Sequence, residues 1–206
     1  EPIHASMQHL WQLVGWARLR HRLRKSSPDA ALTLACGDVT AAFVIRDNLN
    51  HRRDIEDAYL EAIAAARDEV VIACAYFLPG RQFRNALLNA ARRGVKVRLL
   101  LQGRVEYVLL HYAAQALYGT LLDAGVHIYE YHRGFLHAKV AVIDGNWATV
   151  GSSNIDPFSL LLAREANVVL KNAGFAAELH DHLNQAMANG AHEIIKQHWR
   201  NQFLPH

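Results

Sequence analysis

The chain has 206 residues, is 51% hydrophobic, and sets 22 Lys and Arg against 19 Asp and Glu for a net charge of +3 with His neutral. That length buries one sizeable core but excludes two complete catalytic lobes, and so mild a charge makes no bulk electrostatic case for a nucleic-acid binder. Cys36 and Cys74 are the only cysteines, nothing pairs them, and a reducing compartment is the default.

In chain order, residues 1–40 stand apart from the rest. Trp11, Val14, Trp16 and Leu19 flank a basic cluster of Arg18, Arg20, His21, Arg22, Arg24 and Lys25, and Ser26–Asp29 reads as a linker. One reading is an interfacial helix drawn to anionic lipid, each basic residue near the surface adding about 1 kcal/mol. No apolar run approaches the ~20 residues a membrane span needs, and no signal peptide is visible.

From Ala41 strand-like and helix-like pieces alternate, which predicts an α/β layered domain. Ala41–Arg46 reads as a strand, and Ile55, Tyr59, Ile63 and Ala66 mark one helical face. Val70–Ala75 is continuously apolar, as a strand covered on both sides would be. Phe83, Leu87 and Ala90 give a second helix ending at Gly94, followed by a strand alternating from Val95 to Leu101. A helix is predicted from Glu106 to Ala124 and a strand over Val126–Tyr131. Leu136–Ile143 should be a strand, Asp144-Gly145-Asn146 a turn, and Trp147–Val150 the returning strand of a hairpin. Val168–Leu170 and a closing helix over Phe175–Ala188 complete the domain, with residues 191–206 as a tail.

His137, Lys139, Asp144, Gly151, Ser152 and Asn154 fall into the pattern H-x-K-x4-D-x6-G-S-x-N. An imidazole can attack phosphorus and hold a covalent phosphoryl group, and a nearby ammonium neutralises a phosphate oxygen. Period-two geometry sets His137 and Lys139 on one strand face. The Gly-Ser turn lets backbone and hydroxyl donors approach the same anion, and the Asn amide adds another donor. A buried His beside a scattered polar turn would explain any one of these residues, but not the set at fixed spacing. Thirteen His residues show no zinc-binding spacing.

The pattern resembles the signature of the phospholipase D superfamily, and the surrounding residues narrow the likeness to the bacterial cardiolipin synthases, especially the B type. Gly151–Leu160, Arg164–Val168, Tyr76–Gly80 and Leu99–Glu106 carry it, and it extends over roughly residues 41–188. Ala163 departs from the Asn of many relatives, which touches the hydrogen bonding around the site rather than the reacting groups. The resemblance implies a phospholipase D-like layered sandwich, with a mixed central sheet flanked by helices and one such motif in residues 41–190. Two motifs meet in relatives to form one site, so the expected partner is a second H-x-K lobe. That lobe either precedes this chain, with residues 1–40 as its closing helix and linker, or is supplied by a homodimer mate. The start at Glu1 without Met favours a fragment.

The implied chemistry is a phosphohistidine double displacement on phospholipid, with phosphatidylglycerol as donor and acceptor. Lys139 would neutralise the phosphate, leaving no role for a metal or other cofactor. His137 is either nucleophile or general acid. Glu165 follows the motif on the next strand and by resemblance fixes the imidazole, while Asp144 is either a further catalytic carboxylate or structural. Gly151, Ser152 and Asn154 would hold the substrate phosphate. Glu106, Tyr107 and His111 are candidates for an acceptor pocket, whereas Tyr112, Leu117, Tyr118 and Leu121 read better as core than as an acyl groove. The expected location is peripheral on the cytoplasmic side of a bacterial inner membrane. A one-motif nuclease completed by dimerisation is the competing class, disfavoured by the lipid-type flanking residues and the low charge.

Overall fold

The computed structural model describes residues 3–8 and 39–196. The chain divides into two units, Glu1–Val39 and Thr40–His206. In the first, residues 3–8 are helical; the tryptophan-flanked basic cluster, the linker and Cys36 lie outside the described residues.

The second unit is built on one eight-stranded mixed sheet, which bears out the predicted α/β class. Its strands are β1 (Thr40–Arg46), β2 (Glu69–Cys74), β3 (Lys96–Gln102), β4 (His127–Tyr131), β5 (Lys139–Ile143), β6 (Trp147–Gly151), β7 (Glu165–Lys171) and β8 (Ala191–Glu193). The order across the sheet is β1-β7-β6-β5-β2-β3-β4-β8. β2, β3 and β4 run parallel, and every other pairing is antiparallel. The helices are α1 (Asp54–Ala65), α2 (Arg81–Arg92), α3 (Val108–Asp123), α4 (Pro157–Leu161) and α5 (Ala173–Gly190).

The apolar run of β2 explains its central position. Val70, Ile72 and Cys74 face a core shared with Ile55, Tyr59 and Ile63 of α1, Phe83 and Leu87 of α2, and Tyr118 and Leu121 of α3. Val71 and Ala73 point the other way and pack with Ala176, Leu183 and Met187 of α5. A side-chain period of two thus feeds both cores from one strand. Two helices end where predicted, at Gly94 (φ +91°) and Gly125 (φ +90°). There the Val95 and Val126 amides reach back to Ala90 and Leu121 carbonyls at 3.1 Å, a closure that needs a left-handed residue between.

Four differences from the sequence-based expectation have identifiable causes. The strand expected from Leu136 begins only at Lys139, because the last rung against β2 is Cys74↔Lys139. One further bond joins the Ala75 amide to the Ala138 carbonyl at 3.0 Å, after which β2 turns away and His137 has no strand to pair with. Helix α3 starts at Val108 rather than Glu106, because the Tyr76 hydroxyl holds the Glu106 carboxylate and ties the preceding loop to the end of β2. The short helix α4 was not expected, although Asp156-Pro157 is a cap followed by a proline at the first helical position. The Asp156 carboxylate accepts from the Phe158 and Ser159 amides at 2.8 and 3.1 Å. Finally, the tail assigned from residue 191 begins with β8, which pairs Tyr131↔Ala191 and Tyr129↔Glu193 at the sheet edge.

Asp144 closes the β5–β6 hairpin at φ +48°, and its carboxylate accepts the amides of Arg67, Asp68 and Glu69, each at 2.9 Å. Burial opposes its ionisation, but those three donors outweigh burial and hold the carboxyl below its ordinary range. A carboxyl with a depressed folded value stabilises above its unfolded pKa and loses that contribution as pH falls through the folded one. Asp144→Ala should therefore cost about 1–2 kcal/mol at neutral pH, after allowance for its exposure. Urea unfolding of the variant should show the difference shrinking toward zero in acid, and a constant difference down to pH 2 would refute the clamp.

Candidate active site

Antiparallel pairing decides which residues can meet. The C-terminal ends of β2 and β6 and the N-terminal ends of β5 and β7 lie at one end of the sheet, which collects Cys74, Lys139, Gly151 and Glu165. Asp144 lies at the other end of β5, with five residues of strand advance at about 3.3 Å each separating it from Lys139. Of the two roles open to Asp144, its position agrees with the structural one: it fastens the hairpin to the start of β2.

Lys139 extends the Ala141–Ile143 face of β5 toward the open end, and is 7% exposed. Burial lowers its pKa, against the pull of Glu165, Glu106 and Asp156, which favour the charged form. Its Nζ lies 3.5 Å from the His137 backbone carbonyl. His137 itself is exposed, in the loop before β5, and its ring makes no hydrogen bond among the described residues. That loop is held by Gln102 at the end of β3, whose Oε1 accepts from the Leu136 amide at 3.0 Å. The His137 backbone is thus held beside the ammonium, while its ring makes no hydrogen bond among the described residues.

The turn after β6 is tightly determined. A Cβ on Gly151 would stand 2.1 Å from Asn167 Oδ1 and 2.6 Å from the Ala166 carbonyl, so the residue must be glycine for close approach. Asn167, buried, donates to Thr149 Oγ1 at 3.2 Å and accepts from the Ser153 amide at 3.4 Å, bracing that approach. Asn154 is buried with its Oδ1 accepting from the Tyr76 amide at 3.3 Å, which leaves its amide N–H groups as the donors it can offer. Cys74 backs it: burial pushes the thiol up to about 12, so it stays protonated, with its Sγ 3.7 Å from the same Oδ1. The Leu78 amide donates to the Ile155 carbonyl at 2.7 Å, joining the two loops that carry Tyr76 and Asn154.

The assigned partner of the imidazole is engaged elsewhere. Glu165 accepts from the Ser152 hydroxyl, and Ser152 Oγ also accepts from the Ala166 amide at 3.1 Å. No bond joins Glu165 to the His137 ring among the described residues, and the Ser152 hydroxyl expected on phosphate is committed to Glu165. Glu106, Tyr107 and His111 do come together, around a recess of about 30 Å³ shared with Tyr76 and Gln102. Tyr118 and Leu121 are core, as expected, and Leu117 packs against them half-buried, but Tyr112 is 57% exposed and is no part of the core, because it lies on the outer side of the helix. Gln102, Asn167 and Cys74 were not foreseen as site residues. They lay within or beside runs that carried the family likeness, but no period or spacing distinguishes a residue that braces a loop from one that fills a core.

Residues 59–187 match the family described as "Cardiolipin synthase, PLD-like domain". The chain belongs to this family. Cardiolipin synthase B from Escherichia coli K12 is 42% identical over 179 residues, covering 87% of this chain and 42% of that protein. The minor cardiolipin synthase ClsB of Bacillus subtilis 168 is 35% identical over 133 residues, covering 65% of this chain and 33% of its own length. The chain therefore spans less than half of the curated relatives it matches. Among solved structures, Nuc from Salmonella typhimurium, a phospholipase D family member, superposes with a TM-score of 0.64 at 21% identity, over 76% of this chain and 99% of that one. Membership in the phospholipase D-like cardiolipin synthase family agrees with the mixed sheet and with the H-x-K site at its open end.

Because burial depresses the Lys139 pKa, its positive charge should disappear at lower pH than that of a solvated lysine. The alkaline limb of kcat/KM should accordingly fall early, and Lys139→Arg, if it retains turnover, should move that limb upward. A limb unmoved by the arginine would assign it to another group.

Proposed function

We propose that this domain supplies one half of a phosphatidyltransferase site, which makes a diphosphatidyl lipid by double displacement at a phosphodiester. The observation that carries the reading is the buried Lys139 ammonium, 3.5 Å from the backbone carbonyl of a His137 whose ring makes no hydrogen bond among the described residues, in a chain 42% identical to a cardiolipin synthase B. The second imidazole belongs to another H-x-K lobe, either upstream in a longer protein or in a second copy.

The chemistry follows from those groups. One imidazole nitrogen forms a P–N bond as the P–O bond to the departing alcohol breaks, and the opposing imidazolium gives that alcohol its proton. An acceptor hydroxyl then attacks phosphorus, passes its proton to the same opposing imidazole, and releases the first. His137 fills one of these two roles. Lys139 neutralises a non-bridging oxygen in both steps, where charge accumulates on the phosphoryl oxygens. Asn154 is oriented by the Tyr76 amide to donate to the same phosphate, and Glu165 with Asp156 supports the charge on Lys139. Anionic phospholipid such as phosphatidylglycerol is the substrate class, processed at a membrane surface on the cytoplasmic side. Among the described residues no helix is long and apolar enough to cross a membrane.

His137→Ala in the full protein that carries this lobe should lower transfer on phosphatidylglycerol vesicles by about 10³-fold or more with the fold intact by circular dichroism. Single-stranded DNA offered in parallel should remain uncleaved. Cleaved DNA with no new lipid would instead support the nuclease class.

A further inference from the structure

Helix α3 presents a different surface to solvent from the other long helices. α1 exposes Asp54, Asp57 and Glu61, α2 exposes Arg81 and Arg92, and α5 exposes Glu178 and Asp181. In α3 no Asp, Glu, Lys or Arg occurs between Glu106 and Asp123. Its inner face is spent on Ala114, Tyr118 and Leu121, so Val108 (62% exposed), Leu109 (83%) and Tyr112 project outward, uncovered among the described residues. An uncharged outer face on a helix already packed on its inner side marks a contact surface.

The surface adjoins the reacting groups. Tyr107 packs edge-on against Tyr76, ring centroids 5.4 Å apart, and the Tyr76 amide holds Asn154. Phe135, 65% exposed and two residues before His137, lies under the Arg104 guanidinium at 5.6 Å. Arg104 also donates to the His132 carbonyl at 3.0 Å, and Arg133 is exposed beside it. The carboxylate of this stretch, Glu106, is engaged by the Tyr76 hydroxyl. Exposed aliphatics on the first turn of α3 are thus joined to the site through Tyr107, which shares a recess with Arg104, the arginine stacked on Phe135.

We infer that the first turns of α3, together with Phe135 and the Arg104–Arg133 margin, seat on an anionic phospholipid bilayer and set His137 and Lys139 at the level of the lipid phosphates. This rests on the lipid-transfer reading above and names the surface through which it operates. Aliphatic side chains enter the acyl boundary, tyrosines span the interface, and arginines meet the anionic headgroups. A second copy docked through this face would oppose arginine to arginine, which charge complementarity disfavours.

The test is Val108→Asp/Leu109→Asp in the full protein, neither residue belonging to the catalytic groups. Sedimentation with vesicles of equal parts phosphatidylglycerol and phosphatidylcholine should show binding reduced by about tenfold or more, since two aliphatic anchors are lost. Turnover of a short-chain phosphodiester below its aggregation threshold should stay near the unsubstituted value. Leu109→Ser provides a milder variant should the double one misfold, with a smaller loss in the same direction. Unchanged vesicle binding overturns the inference. Loss of soluble turnover together with weakened lobe or subunit association by light scattering also overturns it, making the face a protein interface. Absence of phosphodiester turnover in the unsubstituted protein would refute the transferase reading alone, because vesicle binding is read independently.

Discussion

Removing the Lys139 ammonium from water is unfavourable, and its position obliges the surrounding structure to compensate. Glu106, Asp156 and Glu165 come from three different segments: the approach to α3, the cap of α4 and the start of β7. Each is held by its own bond, from the Tyr76 hydroxyl, the Phe158 and Ser159 amides, and the Ser152 hydroxyl respectively. The carboxylates therefore surround the cation without being drawn into direct ion pairs that would leave it nothing for a phosphate. A lysine neutralised by one close carboxylate would be better stabilised and chemically less useful.

The sheet makes this arrangement possible by assigning separate tasks to its two ends. At one end Asp144 ties the hairpin to the amides that begin β2. At the other, strands run out of partners, and the freed segments bond to one another instead: Leu136 to Gln102, Tyr76 to Asn154, Leu78 to Ile155. Rigid pairing sets where the chain leaves the sheet, and a few side-chain to backbone bonds then set where it goes. This explains why His137 sits outside the strand yet is not left to wander.

Most of the scaffold was legible because it follows from periodicity. The unbroken apolar run of β2, the 3.6-residue spacing of Phe83, Leu87 and Ala90, and the glycines at 94 and 125 each dictate a local geometry that tertiary packing did not override. The motif residues were legible as chemistry, since few types can attack or neutralise phosphate. What escaped was relational. Gln102 could not be assigned to Leu136, nor Asn167 to Thr149, because such bonds depend on strand register across 34 and 18 positions. The choice left open for Asp144 and the bond made by Glu165 depend on the same relation: antiparallel geometry places Asp144 at the far end of β5 and sets the Glu165 carboxylate on the Ser152 hydroxyl.

The clamp formed by Asp144 bears on how such motifs should be interpreted elsewhere. On the proposed chemistry His137 and Lys139 serve reactivity, whereas the bonds of Asp144 hold the hairpin to β2, and relaxation of selection would affect them unequally. A descendant that abandoned the reaction would be free to replace the imidazole and ammonium at once, while any loss of the aspartate would still be penalised by a loosened hairpin. A pseudoenzyme of this lineage would therefore keep the least informative letter of the signature longest, and scoring the three letters equally would overcount functional members.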